Sequence, residues 1–188
     1  MDPVVDHLPH AEVSRRDVVV RLGAGGLTAL LLAAHPSMRL AAQDASPAAP
    51  VGVTANLMGS GQPTTAPGLE LSLRRITIAP GGGVPPHSHP GALVIFTESG
   101  SWGYTHLGGT AQLTRAASAG TPGAAEAMPV GEEVILNAGD WLFVEDPQDD
   151  VRNTGEEDLH LLIAGLTPVG EPFTTLMSDM DMEATPAG

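Results

Sequence analysis

The 188-residue chain has no cysteine and no lysine, and its 22 acids against eight arginines give a formal net charge of −14. Disulfides, thiolate metal sites and cysteine nucleophiles are therefore excluded, and so acidic a surface repels phosphate backbones, which argues against nucleic-acid binding. With 23 glycines, 17 prolines and few aromatics, the composition suits one domain of short elements joined by tight turns rather than a helical bundle.

The first segment reads as an export leader over residues 1–42. Ser14-Arg15-Arg16-Asp17 precedes an uncharged run from Leu22 to Ala34, long enough for a signal h-region and short for a membrane span. The paired arginines resemble the twin-arginine export signal of bacteria. Such a leader implies the twin-arginine machinery as a partner and an exported protein of the cell envelope, periplasmic or extracellular. It also implies no stable membrane span once the leader is removed. Four acids and four arginines precede Gln43, so the whole charge excess lies after it. Residues 43–68 read as linker and N-terminal extension, beginning with the Ala, Pro, Ser and Asp of residues 43–50.

The body reads as strands. Leu69-Glu-Leu-Ser-Leu73 alternates apolar and polar, and Ile76-Thr-Ile78 resumes after Arg74-Arg75 with its phase moved by one residue, which predicts a β-bulge or bend at the arginines. Leu93–Phe96 is a short apolar run of buried-strand type. Trp102–Leu107, Val134–Leu136, Trp141–Val144 and Leu159–Ile163 are further strands, punctuated by turn residues at Ser99-Gly100, Asn137–Asp140 and Asn153–Gly155. Ala116–Met128 is rich in small residues and predicts a long excursion. No helical period persists after the leader, so a sandwich or small barrel is expected. Residues 171–188 form an acidic, Met-containing tail.

Chemistry concentrates at Pro80-Gly-Gly-Gly-Val-Pro-Pro-His87-Ser88-His89-Pro90-Gly91. Side chains alternate along a strand, so His87 and His89 share a face, and two adjacent imidazoles are half of a metal site. Asp149, Asp150 and His106 are the candidates for the rest. The plain alternatives are a solvated acidic turn for the aspartates and a surface strand histidine for His106 and His160. Glu98 reads as a turn-exposed carboxylate beside the barrel. No serine lies in a Gly-x-Ser-x-Gly elbow, and Gly81–Gly83 opens no helix, so neither a serine hydrolase nor a phosphate loop is indicated.

These residues resemble the cupin family, in its small, single-domain, type-2-like form. Gly81, His87, His89 and Gly100 occupy places of its first motif, with Leu93 where a glutamate stands. Gly139-Asp140 and Asn153 occupy the ends of its second motif, with Asp149 and Asp150 where a histidine stands. The resemblance implies an all-β, double-stranded β-helix (jelly-roll) barrel over residues 69–170. It also implies a cavity with Leu93, Ile95, Trp141 and Phe143 on its wall, a divalent ion (Mn, Fe, Cu, Ni or Zn) and a homodimer. The expectation is an exported protein that binds a small molecule, a divalent metal or both through a reduced His-x-His site. Two alternatives stand beside it: a metal-dependent, oxygenase-like enzyme using two histidines and one aspartate, and a metal-free structural or sensing module.

Overall fold

The alternating segments fold as strands, and the computed structural model describes residues 48–178 apart from 119 and 122. In chain order they are β1 (Val51–Gly61), β2 (Leu69–Ser88), β3 (Ala92–Ser99), β4 (Ser101–Thr114), β5 (Glu126–Ala127), β6 (Glu133–Asn137), β7 (Trp141–Asn153), β8 (Leu159–Pro168) and β9 (Thr175–Leu176). The expected leader and the last ten residues of the tail lie outside the described residues. Among the described residues, no helix is long and apolar enough to cross a membrane.

Every pairing between these strands is antiparallel, and three long strands serve two layers each. β2 runs beside β1 and β8 over Leu69–Ile78, then beside β7 from Gly83 and β9 at His87 and Ser88. β7 pairs β3 and the end of β4 over Trp141–Glu145, then β2 and the start of β4 over Gln148–Asn153. One layer therefore runs β1–β2–β8–β3–β7–β4–β5, and the other β9–β2–β7–β4–β6. The shared strands close the layers into an all-β jelly-roll barrel. β7 crosses between layers at Asp146, whose φ is 43°, followed by Pro147, which has no N–H to donate. Asp146 Oδ1 accepts the Gly91 N–H at 2.7 Å. Gly91 has φ 85°, and a Cβ there would collide with the Leu166 carbonyl, so no other residue fits that crossing without strain.

The interior is apolar at its centre. Ile78, Leu93, Ile95, Trp102, Tyr104, Leu142, Val144, Leu159 and Leu161 are buried together. The buried indole of Trp102 donates to Thr97 Oγ1 at 2.9 Å, and Asn153 Nδ2 donates to the Ile78 and Glu157 carbonyls at 2.8 Å. The Gly139-Asp140 turn is structural too: Asp140 accepts the Asn137 and Ala116 N–H groups and the Arg115 guanidinium. Burial alone would raise its carboxyl, but these donors outweigh it and hold it low.

Three expectations are corrected. The β2–β8 register runs without a break from Leu69 to Ile78, so there is no bulge at the arginines on β2. The irregularity lies opposite, between Leu57 and Gly59 of β1. With Ile76 and Ile78 inward, the even positions of β2 face the barrel. Ser72 and Arg74 therefore point inside, while Leu71 and Leu73 are 50% and 36% exposed. Secondly, β1 occupies part of the segment expected as linker, because its pairing to β2 supplies order that its weak hydrophobic pattern does not. Thirdly, Leu93–Phe96 is not buried on both faces: Val94 and Phe96 are each 39% exposed on the outer face.

Candidate metal and ligand site

Two prolines shape the first part of the site. Pro85 and Pro86 have no N–H to give to the β2–β7 ladder, and the register shifts between Val84 and His87. The freed Pro85 carbonyl accepts His87 Nδ1 at 2.9 Å, and Pro86 O accepts the Met177 N–H at 2.8 Å. The segment leading into β9 crosses the barrel mouth, where Phe173 O accepts His89 Nδ1 at 2.5 Å. Both imidazoles are thus held by their Nδ1 atoms, which leaves Nε2 as the ligating nitrogen of each neutral ring. This part of the expected tail is docked on the barrel.

On the opposite strand, His87 pairs directly with Asp149 of β7, which pairs in turn with His106 of β4. Residues opposite one another in a sheet share a face, so all three face inward. They are 4%, 1% and 3% exposed. Ligand atoms of His87, His89 and Asp149 lie within 4.8 Å of one another. Asp149 Oδ2 accepts the Tyr104 hydroxyl at 3.2 Å. Its Oδ1 lies 3.0 Å from His87 Nε2, yet no hydrogen-bond donor is aligned on it. Two donors about 2.1 Å from one ion and at right angles stand ~3.0 Å apart. The donor set, the spacing and the unsatisfied carboxylate oxygen fit a divalent cation.

The surroundings set the protonation of each group. Burial by itself would lower His87, but contact with Asp149, its charge and the Pro85 carbonyl outweigh burial and raise it. Burial dominates at His89 and lowers it, and the charges of His87 and Arg74 act in the same direction. Burial, with the Asp149 charge and hydrogen bond, pushes the Tyr104 hydroxyl well up, so it remains a donor. His106 is lowered by burial.

Of the candidate residues, the structure brings together His87, His89 and Asp149. His106 is inside rather than on the surface, because the even positions of β4 carry Trp102 and Tyr104 into the core, but it does not join the trio. Its Nδ1 is buried with no hydrogen-bond partner. Asp150 alternates to the other face, beside the Arg152–Glu133 pair, and burial raises its carboxyl. His160 is half-buried on the outer face of β8, bonded to Thr77. Glu98 sits outside, paired with Arg75 at 2.8 Å.

A cavity of about 260 Å³ opens beside the trio. Ile95 is on its wall. Leu93 is buried in the core but does not line it, and Trp141 and Phe143 are not on it either. The phase of β7 turns Leu142 and Val144 inward and leaves those two aromatics half-buried on the opposite face. The wall instead includes Val53 of β1, Ile76, Ile163 and Phe173, with Arg74 as a charged member. Sequence reasoning missed Arg74 and Phe173; the uninterrupted alternation back from Ile78 was the signal for the arginine.

No protein-family model and no curated protein matches the sequence. Solved structures with similar folds include a cupin 2 domain-containing protein from Halorhodospira halophila, at 14% identity over 71% of this chain and 77% of that one, TM-score 0.44. Oxalate decarboxylase from Bacillus subtilis matches at 19% identity over 70% of this chain and 29% of its own, TM-score 0.42. A cupin 2 conserved barrel domain protein from Leptotrichia buccalis matches at 12% over 61% and 41%, TM-score 0.40. The chain spans 26%, 41% and 29% of the first three structures matched. These are likenesses of fold alone.

Proposed function

We propose that this protein is an exported, cupin-like barrel that holds one divalent metal ion through His87, His89 and Asp149 and binds a small molecule in the adjoining cavity. The observation that carries the reading is the buried trio, with Asp149 Oδ1 3.0 Å from His87 Nε2 and no donor aligned on it. Packing alone gives no reason to bury two imidazoles against a carboxylate that lacks an aligned donor.

Each residue has a part. Pro85 and Phe173 fix the ring orientations through Nδ1, so that both Nε2 atoms face the same space. Tyr104 holds Asp149 by one oxygen and leaves the other for the ion. The aliphatic wall excludes water and accepts the apolar part of a ligand. When bound, a divalent ion there supplies Lewis acidity at whatever coordination positions the protein leaves open.

The trio matches the residue set of a metal-dependent, oxygenase-like enzyme, and catalysis on the bound ligand is the second reading. Two imidazoles and one carboxylate suit non-haem iron or manganese as well as zinc.

Metal content tests the proposal. The full chain, purified without a polyhistidine tag, is expected to carry or take up one equivalent of metal, and the His87→Ala, His89→Ala double variant none. Wild-type protein that remains metal-free, with a melting temperature indifferent to added Mn, Fe, Ni, Cu and Zn, overturns it.

A further inference from the structure

Arg74 stands apart from the other arginines. Among the described residues, Arg75 pairs with Glu98, Arg115 with Asp140 and Arg152 with Glu133, whereas Arg74 has no such carboxylate. It points into the barrel, half-buried on the cavity wall with His87, His89 and Asp149. Its guanidinium carbon lies 4.1 Å over the Phe173 ring, and its Nε is buried with no hydrogen-bond partner. Stacking holds the guanidinium plane while leaving its N–H edge unused. An unsatisfied cationic donor in such a place is costly to the empty protein, and a counter-ion that arrives with the ligand would offset that cost.

From this geometry we infer that the cavity takes a small organic monocarboxylate, its anionic head on the Arg74 fork and its hydrocarbon body against the aliphatic wall. The planar fork of a guanidinium matches a carboxylate with two parallel N–H···O bonds. A single negative charge suits the site better than a phosphate, because Arg74 faces the Asp149 carboxylate across the same cavity and much of the remaining wall (Val53, Ile76, Ile95 and Ile163) is aliphatic. The barrel interior also differs from the acidic exterior. Arg74 and Asp149 carry opposite formal charges, and a divalent ion in the trio would make the cavity cationic. Metal and carboxylate are then expected to reinforce one another.

The inference takes the cavity as a ligand site but does not depend on the metal, so the test starts from full-length protein stripped with a chelator. Calorimetric titrations of hexanoate, its neutral isostere hexanamide and inorganic phosphate are compared. Hexanoate is expected to bind at least about tenfold more tightly than the other two, the factor that ~1.4 kcal/mol represents. Arg74→Met should lose hexanoate binding while still binding Zn²⁺ at least as tightly as wild type, because a cation is removed from beside the trio, and Arg74→Lys should keep part of the hexanoate affinity. Because the methionine relieves a buried unpaired donor, the melting temperature of the metal-free variant should not fall. Three results overturn the inference: no hexanoate binding by wild type, hexanamide binding as tightly as hexanoate, or undiminished hexanoate binding by Arg74→Met. The hexanoate–hexanamide comparison needs no variant, so it decides the matter even where a substitution impairs folding. A loss of Zn²⁺ binding in His87→Ala with hexanoate binding retained separates this inference from the metal proposal.

Discussion

Replacing Asp149 by asparagine keeps the side chain's shape and removes its charge from a site that is 1% exposed. In the metal-free protein the Tyr104 hydroxyl can still bond the amide oxygen. The contact 3.0 Å from His87 Nε2 loses its charge, and burial then lowers His87. Removing one partner of a buried charge pair costs about 3–5 kcal/mol, partly offset by the relieved cost of burying a carboxylate. A net loss of about 1–2 kcal/mol lowers the melting temperature by roughly 3–8 °C for a domain of this size. The larger effect is on metal. Removing a mere outer-shell partner of a metal ligand already costs about 10–100-fold in affinity, so exchanging a ligand carboxylate for an amide should cost at least about 100-fold. At a free metal concentration about 1,000 times the wild-type Kd, binding adds about 4.1 kcal/mol to stability, against about 1.4 kcal/mol once the affinity is a hundredfold lower. Thermal melts of both proteins, with chelator and with Mn²⁺ or Zn²⁺, measure the difference directly. If metal raises the melting temperature of Asp149→Asn as much as that of wild type, Asp149 is not a ligand.

Acidity gives a second readout. His87 is raised in the folded protein, so its contribution to metal-free stability is full below the unfolded value of about 6.5 and is lost as pH rises through the folded value. The stability gap between wild type and His87→Gln should therefore narrow as pH rises above the ordinary histidine value of about 6.5, and a constant gap would contradict the pairing with Asp149. Metal binding displaces that proton, so affinity should rise with pH over the same window, and titrations in buffers of differing ionisation enthalpy should show proton release. Within the core, Thr97→Val leaves the Trp102 indole without its 2.9 Å acceptor and should cost about 1–3 kcal/mol in denaturant melts; an unchanged midpoint would mean that the indole finds another acceptor. Export has its own experiment: Arg15→Lys with Arg16→Lys should leave the protein in the cytoplasm on cell fractionation, and normal export of that variant refutes the twin-arginine reading.

How much of this was legible in the sequence depended on whether the information was local. His87 and His89 were placed on one face by a two-residue spacing alone. The turns at Gly100, Asn137–Asp140 and Asn153–Gly155 came from the special backbone tolerance of Gly, Asn and Asp. The choice between Asp149 and Asp150 was not local. It follows from the phase of β7, which is set after Pro147 by pairing to β2 and β4. For the same reason Trp141 and Phe143 lie on the face opposite the core, into which Leu142 and Val144 turn. The leucines of β2 misled because apolar alternation normally marks the core. Here the outer face of that layer accepts Leu71 and Leu73, and the inner positions hold Ser72 and Arg74. β1 was hidden because most of its residues are exposed, so only its partner β2 makes it a strand. Phe173 lay in a segment read as tail, and nothing local shows that its carbonyl returns to His89.

The central claim is that one divalent ion is held by His87, His89 and Asp149. It is tested most directly by an anomalous-difference map from a crystal of the full chain soaked in Co²⁺ or Mn²⁺. The expected result is a single strong peak about 2.0–2.2 Å from Nε2 of both histidines and from a carboxylate oxygen of Asp149. A map with no peak there, or with the ion held by Asp150, His106 or surface carboxylates instead, would contradict the account.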